Sequence, residues 1–232
     1  MTKVALITAG GSGMGADAAR RLVEDGFEVG ILSSSGKGEA LAKELGGLGF
    51  TGSNLEPDDL RAFVDAAMAR WGRIDVLVNS FGHGPKGELL EIGDDDWHAG
   101  LDVFLMPAIR MARLVAPVMV AQGDGVIINI STYAALEPSL KFPVSGVFRA
   151  GLASFAKQFS DRYAADNVRM NNVLPGFIDS LPIDPERTKT VPMGRYGRSA
   201  EVAATIAFLA SEGAGYITGQ NIRIDGGATR HV

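Results

Sequence analysis

Thr8-Ala9-Gly10-Gly11-Ser12-Gly13-Met14-Gly15 puts four glycines into eight residues, directly after an apolar run and directly before a helix-like stretch. Glycine lets the backbone approach a diphosphate, and a helix start offers free N–H groups at the positive end of its dipole. The segment reads as a nucleotide-phosphate cradle; the structural alternative is a plain tight turn between strand and helix. Other chemistry is thinly supplied. The absence of cysteine excludes disulfides, thiolate metal sites and a cysteine nucleophile. His83 and His98 have no metal-ligand spacing, so no metal site is expected; each is a candidate acid with a more ordinary structural alternative. The formal net charge is −5 and no more than two basic residues are adjacent, which excludes a nucleic-acid surface.

The elements that must position this loop follow from hydrophobic spacing. Short apolar runs at Lys3–Ala9, Glu28–Leu32, Phe50–Asn54, Ile74–Asn79, Gly125–Ile130, Val168–Leu174 and Asn221–Ile224 predict seven strands. Between them, helical spacing covers Ala16–Asp25, Lys37–Leu48, Asp58–Trp71, a long stretch from Asp94 to about Gln122, Ser139–Asn167 and Ala200–Ser211. Pro57 suits a first helical position, Asp94–Asp96 suit a helix start, and Pro107 and Pro117 predict kinks. Strands alternating with helices imply a doubly wound parallel sheet, Rossmann-like, with helices on both faces. No repeat or linker divides the chain, so residues 1–232 are expected to form one domain, with a substrate lid at about 177–195. The longest stretch free of charged or hydrogen-bonding side chains, Leu114–Ala121, falls far short of the roughly 20 residues needed to span a bilayer. Neither a membrane partner nor a signal peptide is expected, and the expected location is cytoplasmic.

Further segments complete a pattern in chain order. Asn79-Ser80-Phe81-Gly82 follows the fourth strand, Pro175-Gly176-Phe177-Ile178-Asp179-Ser180 the sixth, and Tyr216-Ile217-Thr218-Gly219-Gln220 leads to Asp225-Gly226-Gly227. Together with Thr8–Gly15, they resemble the motifs of the short-chain dehydrogenase/reductase family, and the resemblance runs from Lys3 to about Gly227. Ala9 stands where that family's loop has its first glycine. The resemblance implies a nicotinamide nucleotide held by Ala9, Gly11, Ser12, Gly13, Met14, Gly15, Asn54, Leu55, Asn79, Ser80, Phe81, Arg149, Pro175, Gly176 and Ile178. Asn54, where the family commonly has aspartate, should face the adenine.

An acid at the end of the second strand would bind a ribose 2′-hydroxyl and repel a 2′-phosphate. Ser33 and Ser34 stand there, with Ser35 and Lys37 beyond, so NADP(H) is favoured over NAD(H). Against this, Ser12 occupies a loop position where NADP-preferring relatives often carry a basic residue. The catalytic positions depart from the family's pattern. Its tyrosine and lysine, four residues apart, fall on Ser145 and Arg149; its serine, thirteen residues before the tyrosine, falls on Thr132; its asparagine falls on Phe104. An alkanol hydroxyl is a far weaker acid than a phenol, and a guanidinium stays protonated. The hydride-donor site is kept while the proton machinery is replaced. Tyr133 is a candidate substitute acid, or simply a packing residue; Trp97 and Phe81 read as packing or pocket wall.

Three functions remain open: an NADP(H)-dependent oxidoreductase acting on a small carbonyl, alcohol or imine-type substrate with atypical proton supply; a nucleotide-binding pseudoenzyme or regulator; and a non-redox enzyme like the halohydrin dehalogenases. The retained Gly13, Gly15 and Asn79 argue against the last. The resemblance also implies a homo-oligomer, most simply a tetramer, built on Leu101–Gln122 and Leu152–Tyr163. The mean hydropathy of +0.12 agrees with apolar helix faces in need of a partner.

Overall fold

Seven strands form one parallel sheet in the computed structural model, which describes residues 2–230. They are β1 (Val4–Thr8), β2 (Glu28–Ser33), β3 (Leu48–Thr51), β4 (Val76–Asn79), β5 (Gly125–Ile130), β6 (Val168–Pro175) and β7 (Asn221–Ile224), in the order β3-β2-β1-β4-β5-β6-β7. The order reverses between β1 and β4. Both strands end in loops at the same sheet edge, the place where a crevice opens in such folds.

Side chains alternate between two cores, as the two-residue period of a strand requires. Ala5 and Ile7 of β1 join Val76, Val78, Val126 and Ile128 on one face, beneath helices α1 (Gly13–Glu24) and α8 (Ser199–Ala210). Val4 and Leu6 join Leu77 and Ile127 on the other. That face is covered by α3 (Pro57–Trp71), α5 (Met106–Gln122) and α6 (Pro143–Tyr163). Burial on both faces explains why the strands read as continuous apolar runs rather than alternating ones.

The structure moves several expected boundaries. The helix expected over Lys37–Leu48 stops as α2 (Lys37–Glu44), because Gly46 adopts φ +73° and turns the chain directly into β3. β3 is therefore Leu48–Thr51 rather than Phe50–Asn54. The long helix divides into α4 (Asp94–Phe104) and α5 at Leu105, two residues before Pro107. Proline has no N–H to continue the ladder, and so the kink is a break; Pro117 stays inside α5. The helix expected over Ser139–Asn167 contracts to α6. Asp94–Gln122 as a whole is long and apolar enough to cross a membrane, yet it breaks at Leu105 and lays Met111, Val115 and Met119 on the core.

The 177–195 excursion is better anchored than its sequence suggests. Ile178 and Val191 are buried, as is the neighbouring Tyr196, and a one-turn helix, α7 (Pro185–Thr188), lies within it. Ile178 bridges to Gly197, and Asp179 accepts hydrogen bonds from the Ser199 backbone and hydroxyl at 2.8 and 2.7 Å. Few large hydrophobics mark this segment, so apolar spacing alone underestimates its order.

Candidate functional site

The loop after β1 is a cradle that only very small residues can form. A Cβ on Gly11 would stand 2.6 Å from Ser33 Oγ, and one on Gly15 3.1 Å from the Gly10 Cα. Gly13 takes φ +56° as the chain enters α1, and Ser12 caps that helix without a side-chain hydrogen bond. The first-turn N–H groups therefore face the crevice without a capping side chain, as anion binding requires. Ala9 also lies in the left-handed region, at φ +47°. Glycine adopts this conformation freely and alanine at some cost, which gives a physical reason for glycine at the equivalent position in the family.

Thr8 ties this loop to the one after β4. Its Oγ1 donates to the Ser80 carbonyl at 3.2 Å, and the Asn54 side-chain amide donates to the same oxygen at 3.3 Å. Leu55, beside it, is half exposed, and its carbonyl accepts from Arg110 at 2.8 Å. A cleft of about 450 Å³ runs from Ser34 and Lys37, past Gly11–Met14 and Asn54, to Ser80 and Phe81. Ser33 is buried, with its hydroxyl 3.4 Å from that of Ser35, whereas Ser34, Ser35 and Lys37 are exposed at the mouth.

A second cleft of about 430 Å³ shares Met14, Ser80, Phe81 and His83 with the first. Thr132, Ser145 and Arg149 all line it, with Pro175, Gly176 and Ile178. Ser145 and Arg149 occupy one face of α6, one turn apart, and Thr132 caps the 3₁₀ turn over residues 133–135 by accepting from Ala134 N. Arg149 is buried. Its Nη1 donates to the Ile130 carbonyl at 2.6 Å, and its guanidinium lies between two rings, 4.5 Å from the Phe81 centroid and 4.9 Å from that of Phe104. With no carboxylate beside it, burial pushes its pKa down to about 9, so it remains a cation at neutral pH. Phe104 thus serves as one wall of the slot that holds the guanidinium.

Three buried side-chain atoms among the described residues lack a hydrogen-bond partner: Arg149 Nε, Ser131 Oγ and Asn79 Oδ1. All three stand at the crevice end of the sheet. Buried polar groups are nearly always paired, so these three are exceptions, and they cluster beside the two clefts. Asn79 closes a ladder that sequence reasoning missed. Its Nδ2 donates to Asn129, Asn129 to Asn172 and Asn172 to Asn221, at 2.9, 2.8 and 2.8 Å, between residues in register across β4 to β7. Four asparagines, each within a strand, are the signal that was available. Ser131, Lys86 and Arg187 were also missed, because none belongs to a motif.

The substitute-acid candidates separate clearly. Tyr133 lines the second cleft, packing edge-on to Phe177 at 5.9 Å, but burial raises its pKa above the ordinary 10, with Arg187 opposing only in part. A phenol tuned upward is a poorer acid than a free tyrosine. His83 is exposed where the two clefts meet; His98 lies on α4 outside both, and Trp97 packs against Phe148.

Comparison with known proteins agrees with this architecture. A family profile described as enoyl-(acyl carrier protein) reductase matches residues 8–229. A 3-oxoacyl-(acyl-carrier-protein) reductase FabG from Thermotoga maritima is 32% identical over 239 residues, covering 97% of each chain. Dehydrogenase/reductase SDR family member 4 from Caenorhabditis elegans is 32% identical, covering 97% of this chain and 94% of its own. L-Sorbose reductase from Gluconobacter frateurii, solved with NADPH and L-sorbose, superposes with a TM-score of 0.89 at 27% identity, over 100% of this chain and 98% of its own. YwfH, an NADPH-dependent reductase of bacilysin biosynthesis, shares the fold at 24% identity and a TM-score of 0.94, over the full length of both chains. The chain belongs to the short-chain dehydrogenase/reductase family.

Proposed function

We propose that this protein is an NADPH-dependent reductase of a small carbonyl compound, running its chemistry without a tyrosine general acid. The observation that carries the reading is the continuity of the two clefts. One groove leads from exposed Ser34 and Lys37, over a cradle that side chains larger than hydrogen would block, to Thr132, Ser145 and Arg149. The relative solved with NADPH and a sugar supports the same cofactor here. The bound nicotinamide would supply a hydride to the carbonyl carbon.

The chain's own groups then divide the work. Ser34, Ser35 and Lys37 receive the 2′-phosphate, and the α1 N-terminus receives the diphosphate. Arg149 is held by the Ile130 carbonyl and two rings, and its unpaired Nε is free to serve the nicotinamide ribose. Thr132 and Ser145 orient the substrate oxygen. Neither hydroxyl is acidic enough to protonate it, so the proton comes from water or from the substrate. A nucleotide-binding protein without turnover is the second reading, favoured by the replacement of the proton-transfer residues. Titration with NADPH and NADH by fluorescence tests the cofactor; NADPH consumption across a carbonyl panel separates the two readings. No binding of either nucleotide defeats both.

The oligomer proposal rests on α5 and α6. Leu114 and Val118 of α5 are only partly buried, and Val147 of α6 is 55% exposed. These helices are proposed to build a tetramer, and a monomer mass by light scattering at micromolar concentration would remove that claim.

A further inference from the structure

The walls of the second cleft carry an unusual charge pattern. Lys86, Arg149 and Arg187 line it, with His83 at its junction, and no aspartate or glutamate does. This happens in a chain whose acids outnumber its bases by five. Each cation lies over an aromatic ring that also lines the cleft. Lys86 Nζ is 5.8 Å from the Phe142 centroid, the Arg187 guanidinium 5.7 Å from that of Phe177, and Arg149 sits between Phe81 and Phe104. Ring contacts orient a cation without neutralising it. Arg187 shares its charge with Asp184 at 3.3 Å, which does not line the cleft; Lys86 and Arg149 have no ion-pair partner among the described residues. A protonated imine, attractive on grounds of proton supply alone, would meet three cations and no lining carboxylate here.

Resting on the reading of this cleft as the reductase's substrate site, we propose that the substrate is an anionic carbonyl compound with an apolar, ring-sized body. Tyr133, Phe142, Phe177 and Tyr196 enclose the body, and Lys86 and Arg187 hold its carboxylate or phosphate. Phe177 stacks on Tyr196 at 5.6 Å and meets Tyr133 edge-on, which gives that wall a flat apolar face. Lys86 comes from the loop after β4 and Arg187 from the 177–195 segment, so the proposed anion site draws on two separate segments of the cleft lining. The phosphates of the cofactor do not compete for these cations, since their cradle and Lys37 belong to the other cleft.

The test uses the protein saturated with NADP⁺ and isothermal titration of phenylpyruvate, phenyl phosphate and the neutral ketone 4-phenyl-2-butanone. At least one anion is expected to bind about ten-fold or more tightly than the neutral ketone, the scale of a charge-assisted hydrogen bond. The advantage should shrink as salt rises from about 50 mM to about 500 mM. Lys86→Met and Arg187→Met should each weaken the better anion about three- to five-fold and leave the neutral ketone unchanged. The two anions distinguish a carboxylate from a phosphate. Equal affinity for all three compounds, failure of both anions to bind, or anion binding indifferent to both substitutions overturns the inference while leaving the reductase reading intact. Failure of NADP⁺ to saturate the protein removes the reductase reading itself, and this inference with it.

Discussion

Replacing Arg149 by methionine separates what the guanidinium does for folding from what it does for function. Burial pushes its pKa down to about 9, a fall that costs several kcal/mol in the folded state at about 1.4 kcal/mol per decade. Against this stand one charge-assisted hydrogen bond to the Ile130 carbonyl, about 1.5–3 kcal/mol, and two ring contacts of about 0.5–2 kcal/mol each. Cost and compensation nearly cancel. Methionine has similar length, fits between Phe81 and Phe104, and makes sulfur–aromatic contacts of its own. Arg149→Met is therefore expected to hold the apo-protein's stability within about 2 kcal/mol in urea unfolding, while NADPH affinity drops about ten-fold or more. The pH dependence carries its own sign. Above about 9 the unfolded chain keeps a proton that the folded one releases, so the wild type gains stability as pH rises. Relative to the methionine variant, which lacks the group, the gain from pH 7 to pH 10 should be about 1.4 kcal/mol. A loss of more than about 3 kcal/mol at pH 7 with unchanged nucleotide affinity would show that the guanidinium is a structural strut, and would refute the argument.

Lys37→Glu places a carboxylate at the exposed mouth of the nucleotide cleft, so NADPH affinity should fall at least about ten-fold and NADH affinity little, as read by competitive titration. Ser34→Asp should act in the same direction and is a cleaner choice than Ser33→Asp, because Ser33 is buried against Gly11 and Gly38. Ala9→Gly should raise apo stability by about 0.5–1 kcal/mol, since relief at φ +47° exceeds the added entropy of the unfolded chain; a decrease in thermal midpoint would contradict this. Ser145→Tyr with Arg149→Lys should raise turnover of simple ketones at least about ten-fold by restoring a phenol acid, and no gain in kcat would argue that Phe104 crowds the ring.

Much of the fold was legible because its strands are buried on both faces and its helices are not. Continuous apolar runs such as Val76–Asn79 and Gly125–Ile130 can hardly be anything but central parallel strands. Boundaries slipped where a single backbone conformation decides them. Gly46 ends α2 by its positive φ, and Leu105 breaks the long helix ahead of Pro107; hydrophobic spacing carries neither fact. The nucleotide cradle was legible because its chemistry demands one residue type, glycine, at fixed places. The second cleft was not. Lys86, Arg187 and Tyr196 reach it from three separate segments, and no local spacing brings them together.

Arg149 shows how the two kinds of information combine. Its position on the helix came from register alone, and from register it is a substituted lysine. Only the structure shows that Phe104, another of the substitutions, and Phe81 both lie against its guanidinium. The two replacements are therefore one change. A lysine ammonium is compact and strongly hydrated and would gain less from this dry slot than a planar guanidinium, while an asparagine at 104 would leave the guanidinium without its second face. Ser145 belongs to the same change, since a tyrosine ring there would have to share the cavity with both phenylalanines and the guanidinium. On the proposed reading, the altered positions exchange a proton-transfer chain for a fixed, desolvated cation beside the hydride site. A fixed cation can hold a ribose or stabilise developing negative charge on a substrate oxygen, and neither task needs a proton to move.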